Sequence, residues 1–320
     1  MRSLLLGIVL LSSFIGSAQD SSYVVGEREK LTLKVYTVEK FSRIFISDLG
    51  QDLQYRYHPN EVANIGLGLN YKWIGIALAF NPAPNRRVEK FGRTNKLDLQ
   101  INSYGRKFGF DLSLQFYGGY YLENPDEIDS TWTPPNFPKR EDLITFNFGL
   151  NSYYVLNHEH FSYRATFNQT EIQEKSAGSF VAGLYGSIYS VNSSTPLMGY
   201  VNGELRDPNA PFVGGGAFLT GGGSFGYIHT FVAKKYFYFT IGAIPALGLQ
   251  ISYVDRDFQP DLTKLRFAGK IQFLGGFGYN RERFFTGFSG LSNNQRLFNS
   301  DGIRISNEIG ALRFFVGTRF

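Results

Sequence analysis

The chain holds four histidines, His58, His158, His160 and His229, and no cysteine. That composition leaves out disulfides, a Cys-ligated metal and a thiol nucleophile. His158 and His160 flank Glu159, and a His-x-His pair can chelate a metal. Two ligands in a turn of Asn, Glu and His more often make a solvated turn, so no metal and no cofactor is expected. A hydrolytic Ser–His pair would need both groups within hydrogen-bond reach. Ser224 and His229 share one predicted strand but stand about 16 Å apart along it. His58 precedes Pro59 at a predicted loop tip, and no Gly-x-Ser-x-Gly motif occurs. No catalytic residue is assigned.

The densest polar block is Phe167–Phe180. It offers Asn168, Gln169, Glu171, Gln173, Lys175 and Ser176 as a hydrogen-bonded network, as buried polar groups require. Four basic residues, Arg266, Lys270, Arg313 and Arg319, fall at alternate positions of apolar strands and would line an interior. The glycine runs 214–216 and 221–223 lack the Gly-Lys-Ser/Thr ending of a phosphate loop and read as strand glycines. Acids at Glu123, Asp126, Glu127, Asp129, Glu141 and Asp142, with Pro134-Pro135, mark a solvated surface loop. The net charge of +5 is spread among interleaved acids, so no nucleic-acid footprint is present.

The elements that must position these groups are strands. Ile65, Leu67, Leu69 and Tyr71 alternate with Gly66, Gly68 and Asn70. Phe108, Phe110, Leu112, Leu114 and Phe116 alternate with Gly109, Asp111, Ser113 and Gln115. Period two with one apolar and one polar face recurs near 74–80, 96–102, 144–151, 215–229, 236–253, 265–279, 284–291 and 303–320. Aromatics make up 17% of the chain, with 31 Phe, 20 Tyr and 36 Gly, while the average residue is slightly polar. An outer-membrane barrel has that signature, because only alternate residues face lipid. The tail Leu312, Phe314, Val316, Thr318, Phe320 ends the chain on an apolar strand face with a terminal aromatic. Such a tail resembles the closing strand of bacterial outer-membrane proteins, where the terminal Phe, here Phe320, is part of the signal read by the barrel assembly machinery.

At the other end, Met1-Arg2, an apolar run from Leu4 to Ile15 and Gly16-Ser17-Ala18 form a secretory signal peptide. Short and long connections alternate if 161–190 is one interrupted strand. The expected architecture is therefore an all-β, transmembrane, antiparallel up-and-down barrel of twelve strands. Its domains are a signal peptide over 1–18, a periplasmic or lumenal lead over 19–40 and the barrel over 41–320, the first strand spanning 41–57. Ile303 and Ile305 are odd-numbered, whereas Leu312, Phe314 and Val316 are even. Either a β-bulge near Gly310 resets an outward phase, or the barrel strand begins only near Ile309.

The block Phe167–Phe180, with Tyr57-His58-Pro59-Asn60 and Ile65–Trp73, resembles a family of Bacteroidota outer-membrane barrels known only as a domain of unknown function. The resemblance covers essentially all of the mature chain. It implies a barrel and an envelope location and supplies no activity. The expected role is structural or that of a narrow solute pore in the outer membrane, with outer-membrane lipid as the surrounding partner. The alternatives are a lipid-modifying enzyme of the lipase or lipid A deacylase type, and a surface barrel binding a partner through loops 118–142 and 191–214. A small solute or surface ligand stays open.

Overall fold

The computed structural model describes residues 20–320 apart from 28, 72–73, 83–86, 134, 202–203, 206–209, 211, 257–258 and 301. The signal-peptide reading of 1–18 lies outside the described residues. No helix among them is long and apolar enough to cross a membrane, and the wall of the molecule is made of strands.

After a short strand β1 (Val24–Gly26), the chain climbs β2 (Thr32–Asp48) and descends β3 (Leu53–His58) and β4 (Asn64–Tyr71). A part-length strand β5 (Ile74–Phe80), a one-turn helix α1 (Val88–Phe91) and β6 (Asn95–Tyr104) follow. Next come β7 (Phe108–Leu122), α2 (Pro125–Ile128) and β8 (Lys139–Val155). A segment holding α3 (Tyr163–Phe167) and β9 (Glu171–Gln173) leads to β10 (Ala177–Asn192). Two short strands, β11 (Tyr200–Val201) and β12 (Glu204–Leu205), lie in the following loop. Five long strands complete the wall: β13 (Val213–Ala233), β14 (Phe237–Arg256), β15 (Gln259–Asn280), β16 (Phe284–Ser300) and β17 (Ile303–Arg319).

Ten strands close a circuit in the order β2, β3, β7, β8, β10, β13, β14, β15, β16, β17 and back to β2. Every pairing is antiparallel, and the last strand zips to the first from Arg319↔Thr32 to Ile303↔Asp48. Leu31 and Phe320 exchange backbone hydrogen bonds of 3.1 and 2.9 Å, so both ends of the barrel chain meet at one rim, here the terminal end. The wall begins at Thr32 rather than 41. Thr37 and Glu39 interrupt the outward apolar face of Leu33 and Val35 there, which hides the strand in the sequence.

The expectation of twelve like strands is not confirmed, because the wall changes its composition with height. Toward the far end β3 bridges β2 and β7, through Ile44↔Tyr57 on one side and Tyr57↔Leu122 on the other. Toward the terminal end β4 pairs the lower part of β2, β5 pairs β4, and β6 pairs β7. No ladder joins β5 to β6 among the described residues. Three extra part-length strands thus fill the lower wall. The changeover falls at a β-bulge, where the β7–β8 register shifts between Gly118 and Tyr120. Gly119 there has φ +90°, and a Cβ on it would lie 2.2 Å from the Arg93 carbonyl oxygen. Only glycine meets both demands.

The outer face carries the apolar half of each alternation, including Leu67, Leu99, Phe110, Leu184, Leu247, Phe267 and Phe314, all exposed. Its aromatics pair across strands, as in Phe277–Phe288 at 5.3 Å and Phe288–Phe314 at 4.8 Å. On β17 the odd residues Ile303, Ile305, Asn307, Phe315 and Arg319 are all buried, with an unbroken register to β2. Neither expected cause of a phase change on β17 is present. Ile303 and Ile305 point inward because the far half of the barrel interior is itself apolar. The bulge of this hairpin lies on β16, between Arg296 and Phe298.

Candidate functional site: a polar chamber between two seals

The terminal-end seal is the segment between β8 and β10. A helix starts at Ser162, whose hydroxyl accepts from the Ala165 N–H at 3.1 Å and donates to Glu171 Oε2 at 2.6 Å. The β9 strand pairs with β1, so the N-terminal lead and this segment form one plug. Tyr163 packs on Tyr104 at 5.2 Å and Tyr153 at 6.0 Å, which project from the wall. Glu171 also receives Arg164 Nη1 at 2.9 Å, and Gln173 donates to the His160 carbonyl at 2.6 Å and accepts from the Ser162 N–H at 2.9 Å. These are the bonds that buried polar groups must find.

Arg319 ties the plug to the closing strand. Its Nε donates to the Gln169 carbonyl at 3.1 Å, with a second, shorter bond from Nη2. Nη1 donates to the Arg281 carbonyl at 2.6 Å and Nη2 to Asn280 Oδ1 at 2.7 Å. The Asn280 amide in turn donates to Ala165 and Glu171 carbonyls at 3.2 and 3.0 Å. The buried guanidinium therefore meets carbonyl oxygens rather than a carboxylate, and its face lies 4.6 Å from the Phe285 ring centroid.

The far-end seal is apolar. Ile44, Ile46, Tyr55, Tyr57, Tyr117, Tyr189, Phe218, Leu297, Ile303 and Ile305 form one buried cluster inside the wall. The loop after β10 dips into it with Leu197, Met198 and Val201. Tyr57 donates its hydroxyl to the Leu197 carbonyl at 2.7 Å, and Tyr55 accepts from the Gly199 N–H at 2.9 Å. Arg140, paired with Asp142 at 2.9 Å, donates to the Pro196 and Thr195 carbonyls at 3.1 and 3.0 Å. Two acids of the long far-end loop, Glu123 and Glu127, are likewise engaged locally. Arg56 meets Glu123 at 3.5 Å and also Glu127, whose carboxyl is held below its usual pKa by the Asn124 amide and then by Arg56.

Between the seals the interior is polar. Lys40 Nζ contacts Asp98 Oδ1 at 2.8 Å, and Asp98 Oδ2 accepts from Tyr117 at 2.7 Å and Gln115 at 3.0 Å. Asp111 accepts from Asn102 at 2.6 Å, from Tyr104 at 2.8 Å and from Tyr153. Lys270 donates to Asn151 Oδ1 at 2.5 Å, and Gln272 to the Tyr153 hydroxyl at 3.1 Å. A cavity of about 100 Å³ remains beside α3, lined by side chains including Asn102, Asp111, Asn168, Ser289, Asn293 and Arg313.

A family profile described as a domain of unknown function (DUF4421) matches residues 18–320 of the chain. The chain belongs to that family. No curated protein matches it. Among solved structures, the outer-membrane protease OmpT from Escherichia coli is 11% identical over 92% of this chain and 98% of that one, at a TM-score of 0.37. The Pseudomonas putida toluene transporter TodX is 7% identical over 91% and 89%, at 0.24. An anion-selective porin from Comamonas acidovorans is 9% identical over 91% and 100%, at 0.16. None of these likenesses assigns an activity to the DUF4421 chain.

Two of the stretches that carried the family resemblance occupy the two irregular features of this DUF4421 barrel. Tyr57–Asn60 lies where the wall divides, with Asn60 donating to the Gly92 carbonyl at 2.9 Å. Phe167–Phe180 spans the plug and the start of β10. Within that block the structure buries Gln169, Glu171 and Gln173 in the plug and half-buries Asn168 on the chamber side. Lys175 and Ser176 are exposed at the rim, Lys175 over the Tyr23 ring at 4.9 Å and Ser176 accepting from the Val232 N–H at 2.9 Å. Arg266, Lys270, Arg313 and Arg319 all sit on inward positions, but only Arg313 lines the cavity. Phe320 is exposed at the terminal rim.

The histidines are dispersed. His229 lies on the outer face against the Tyr227 hydroxyl at 3.0 Å, while Ser224 is on the opposite face of β13. His58 meets Glu123 at 3.2 Å, and His160 meets Asn157 at 3.0 Å. His158 is buried at the terminal-end turn, where burial and then Lys107 hold its pKa below the ordinary value. No group of three metal-ligating side chains occurs among the described residues.

Sequence reasoning missed the far-end seal and the acceptors of Arg319. Leu197-Met198, an apolar pair in an otherwise polar loop, was the available signal for the first. Nothing in the sequence identifies backbone carbonyls as the partners of an arginine.

Proposed function

We propose that this protein is an outer-membrane β-barrel of Bacteroidota, exported by the signal peptide over 1–18, closed at rest and serving as an envelope scaffold with an internal solute chamber. The observation that carries the reading is the double closure of the lumen, polar and plugged at the terminal end, apolar and packed at the far end. A solute pore needs a continuous polar path, and the far-end cluster of Tyr, Ile, Leu and Val interrupts one. The outward apolar band and its aromatic pairs support a lipid surrounding. The terminal end then faces the periplasm, where Phe320 is presented to the assembly machinery. The enzyme reading finds no support in the placement of the four histidines, and the Leu197–Val201 stretch of the adhesion loop is occupied in sealing the mouth.

Liposome swelling tests the closed state. Proteoliposomes of the folded protein swell in small sugars or amino acids no faster than empty liposomes. Swelling that scales with the amount of protein overturns the reading.

A further inference from the structure

Arg313 stands apart from the other interior cations. Lys40 has Asp98, Lys270 has Asn151 with Asp111 nearby, and Arg319 has its carbonyls. Among the described residues Arg313 has no acid within salt-bridge distance and no hydrogen bond, and its buried Nε–H lacks any acceptor. Its guanidinium lies 5.3 Å from the Tyr36 ring centroid and borders the cavity. Lys34 is close enough that the two positive charges repel, and its own contact is a 3.4 Å bond to Gln169 Oε1. A part-buried, unpaired cation whose Nε–H is shut off from water is costly, and an arginine fork is shaped for two oxygens.

The space in front of the fork is made for something polar. Its volume of about 100 Å³ has room for several waters or one small oxyanion, since roughly 10–15 Å³ suffices to hold a single water. Asn168 from the plug and Ser289 and Asn293 from β16 border it with amide and hydroxyl groups. The Asn293 carboxamide has a buried oxygen without a partner. Turned over, it presents its N–H₂ to the same space. Asp111 also borders the cavity, but its oxygens are already covered by Asn102, Tyr104 and Tyr153. Asn102 is exposed on β6, whose other edge joins no ladder among the described residues. The cavity therefore borders an exposed residue at the divided wall.

We propose that this cavity is a binding site for a small free oxyanion, phosphate, sulfate or a short carboxylate, held by the Arg313 fork. The site goes beyond the closed-barrel reading and does not depend on the membrane in which the barrel sits. Isothermal titration of the folded full chain in detergent with inorganic phosphate, sulfate and acetate tests it. The wild type binds at least one of the three saturably. Arg313→Met weakens that binding by about tenfold or more, the size of a lost charged hydrogen bond. Ser289→Asp sets a carboxylate beside the fork, abolishes binding and raises Tm. Lys234→Gln, in an exposed turn away from the chamber, leaves affinity unchanged. The proposal is overturned if the folded wild type binds none of the three anions. It is equally overturned if Arg313→Met or Ser289→Asp binds as the wild type does, and the aspartate variant decides if the methionine variant fails to fold.

Discussion

Replacing Arg319 by Met should loosen the plug without opening the wall. The guanidinium satisfies three acceptors, the Gln169 and Arg281 carbonyls and Asn280 Oδ1, and methionine satisfies none. Each buried acceptor left unpaired costs about 1–3 kcal/mol, offset in part because a buried cation without a carboxylate is itself expensive. A net loss of about 3 kcal/mol follows, or about a hundredfold in the plug's opening equilibrium. The strand ladder from Arg319 to Ile303 is backbone-made and survives the change. Native-state hydrogen exchange reads the difference directly. Amides in the plug, such as Asn168 and Glu27, which bond Arg164 and Thr170 carbonyls, should exchange about a hundredfold faster. Amides in β14 and β15 should keep wild-type protection. Arg319→Lys retains the charge but lacks the fork and should fall between the two. Unchanged exchange in the plug of Arg319→Met would refute the claim that this residue latches it.

Other outcomes follow from the same geometry. Leu247→Arg places a charge on the apolar outer face, at a residue 75% exposed; under the proposed outer-membrane reading it should cost about 2–4 kcal/mol by equilibrium unfolding in lipid at the bilayer midplane. Gly119→Ala meets both a positive φ and the Arg93 carbonyl oxygen, so it should lose at least about 1–2 kcal/mol in a denaturant titration. Burial holds His158 below the ordinary histidine value of 6.5. Its folded form resists the proton, so its contribution to stability is present above that pH and is lost as pH falls through and below it. A denaturation series from neutral to acid pH should show a shallower decline in His158→Gln than in the wild type, and parallel curves would count against the assignment.

The wall was legible because an apolar outer face over a filled interior imposes period two wherever strands are full length. Phe108–Phe116 on β7 and Leu312–Val316 on β17 are read off directly for that reason. The inner face was less legible, since it answers to two different fillings. Where the filling is polar, inward residues such as Asp111, Gln115 and Asn147 contrast with their apolar neighbours. Where it is apolar, as around Ile303 and Ile305, inward and outward residues look alike and the apparent phase reverses. The divided wall escaped because β4, β5 and β6 each carry a correct alternation over only part of the height. Their pattern counts strands without saying that β3 replaces them above. Of the basic residues at interior positions, the sequence placed Arg313 and Arg319 on one face. It could not separate the one that latches backbone carbonyls from the one that faces a cavity, because that depends on what the plug brings opposite them.

Single-channel conductance in planar bilayers tests the double closure most directly, comparing the wild type with variants lacking one or both seals. One variant replaces 162–174 by a flexible linker, the second shortens 194–201, and the third combines them. Double closure predicts silence from the wild type and from each single variant, with discrete current steps only when both seals are gone. Steady steps from the wild type, or from either single variant, would contradict it.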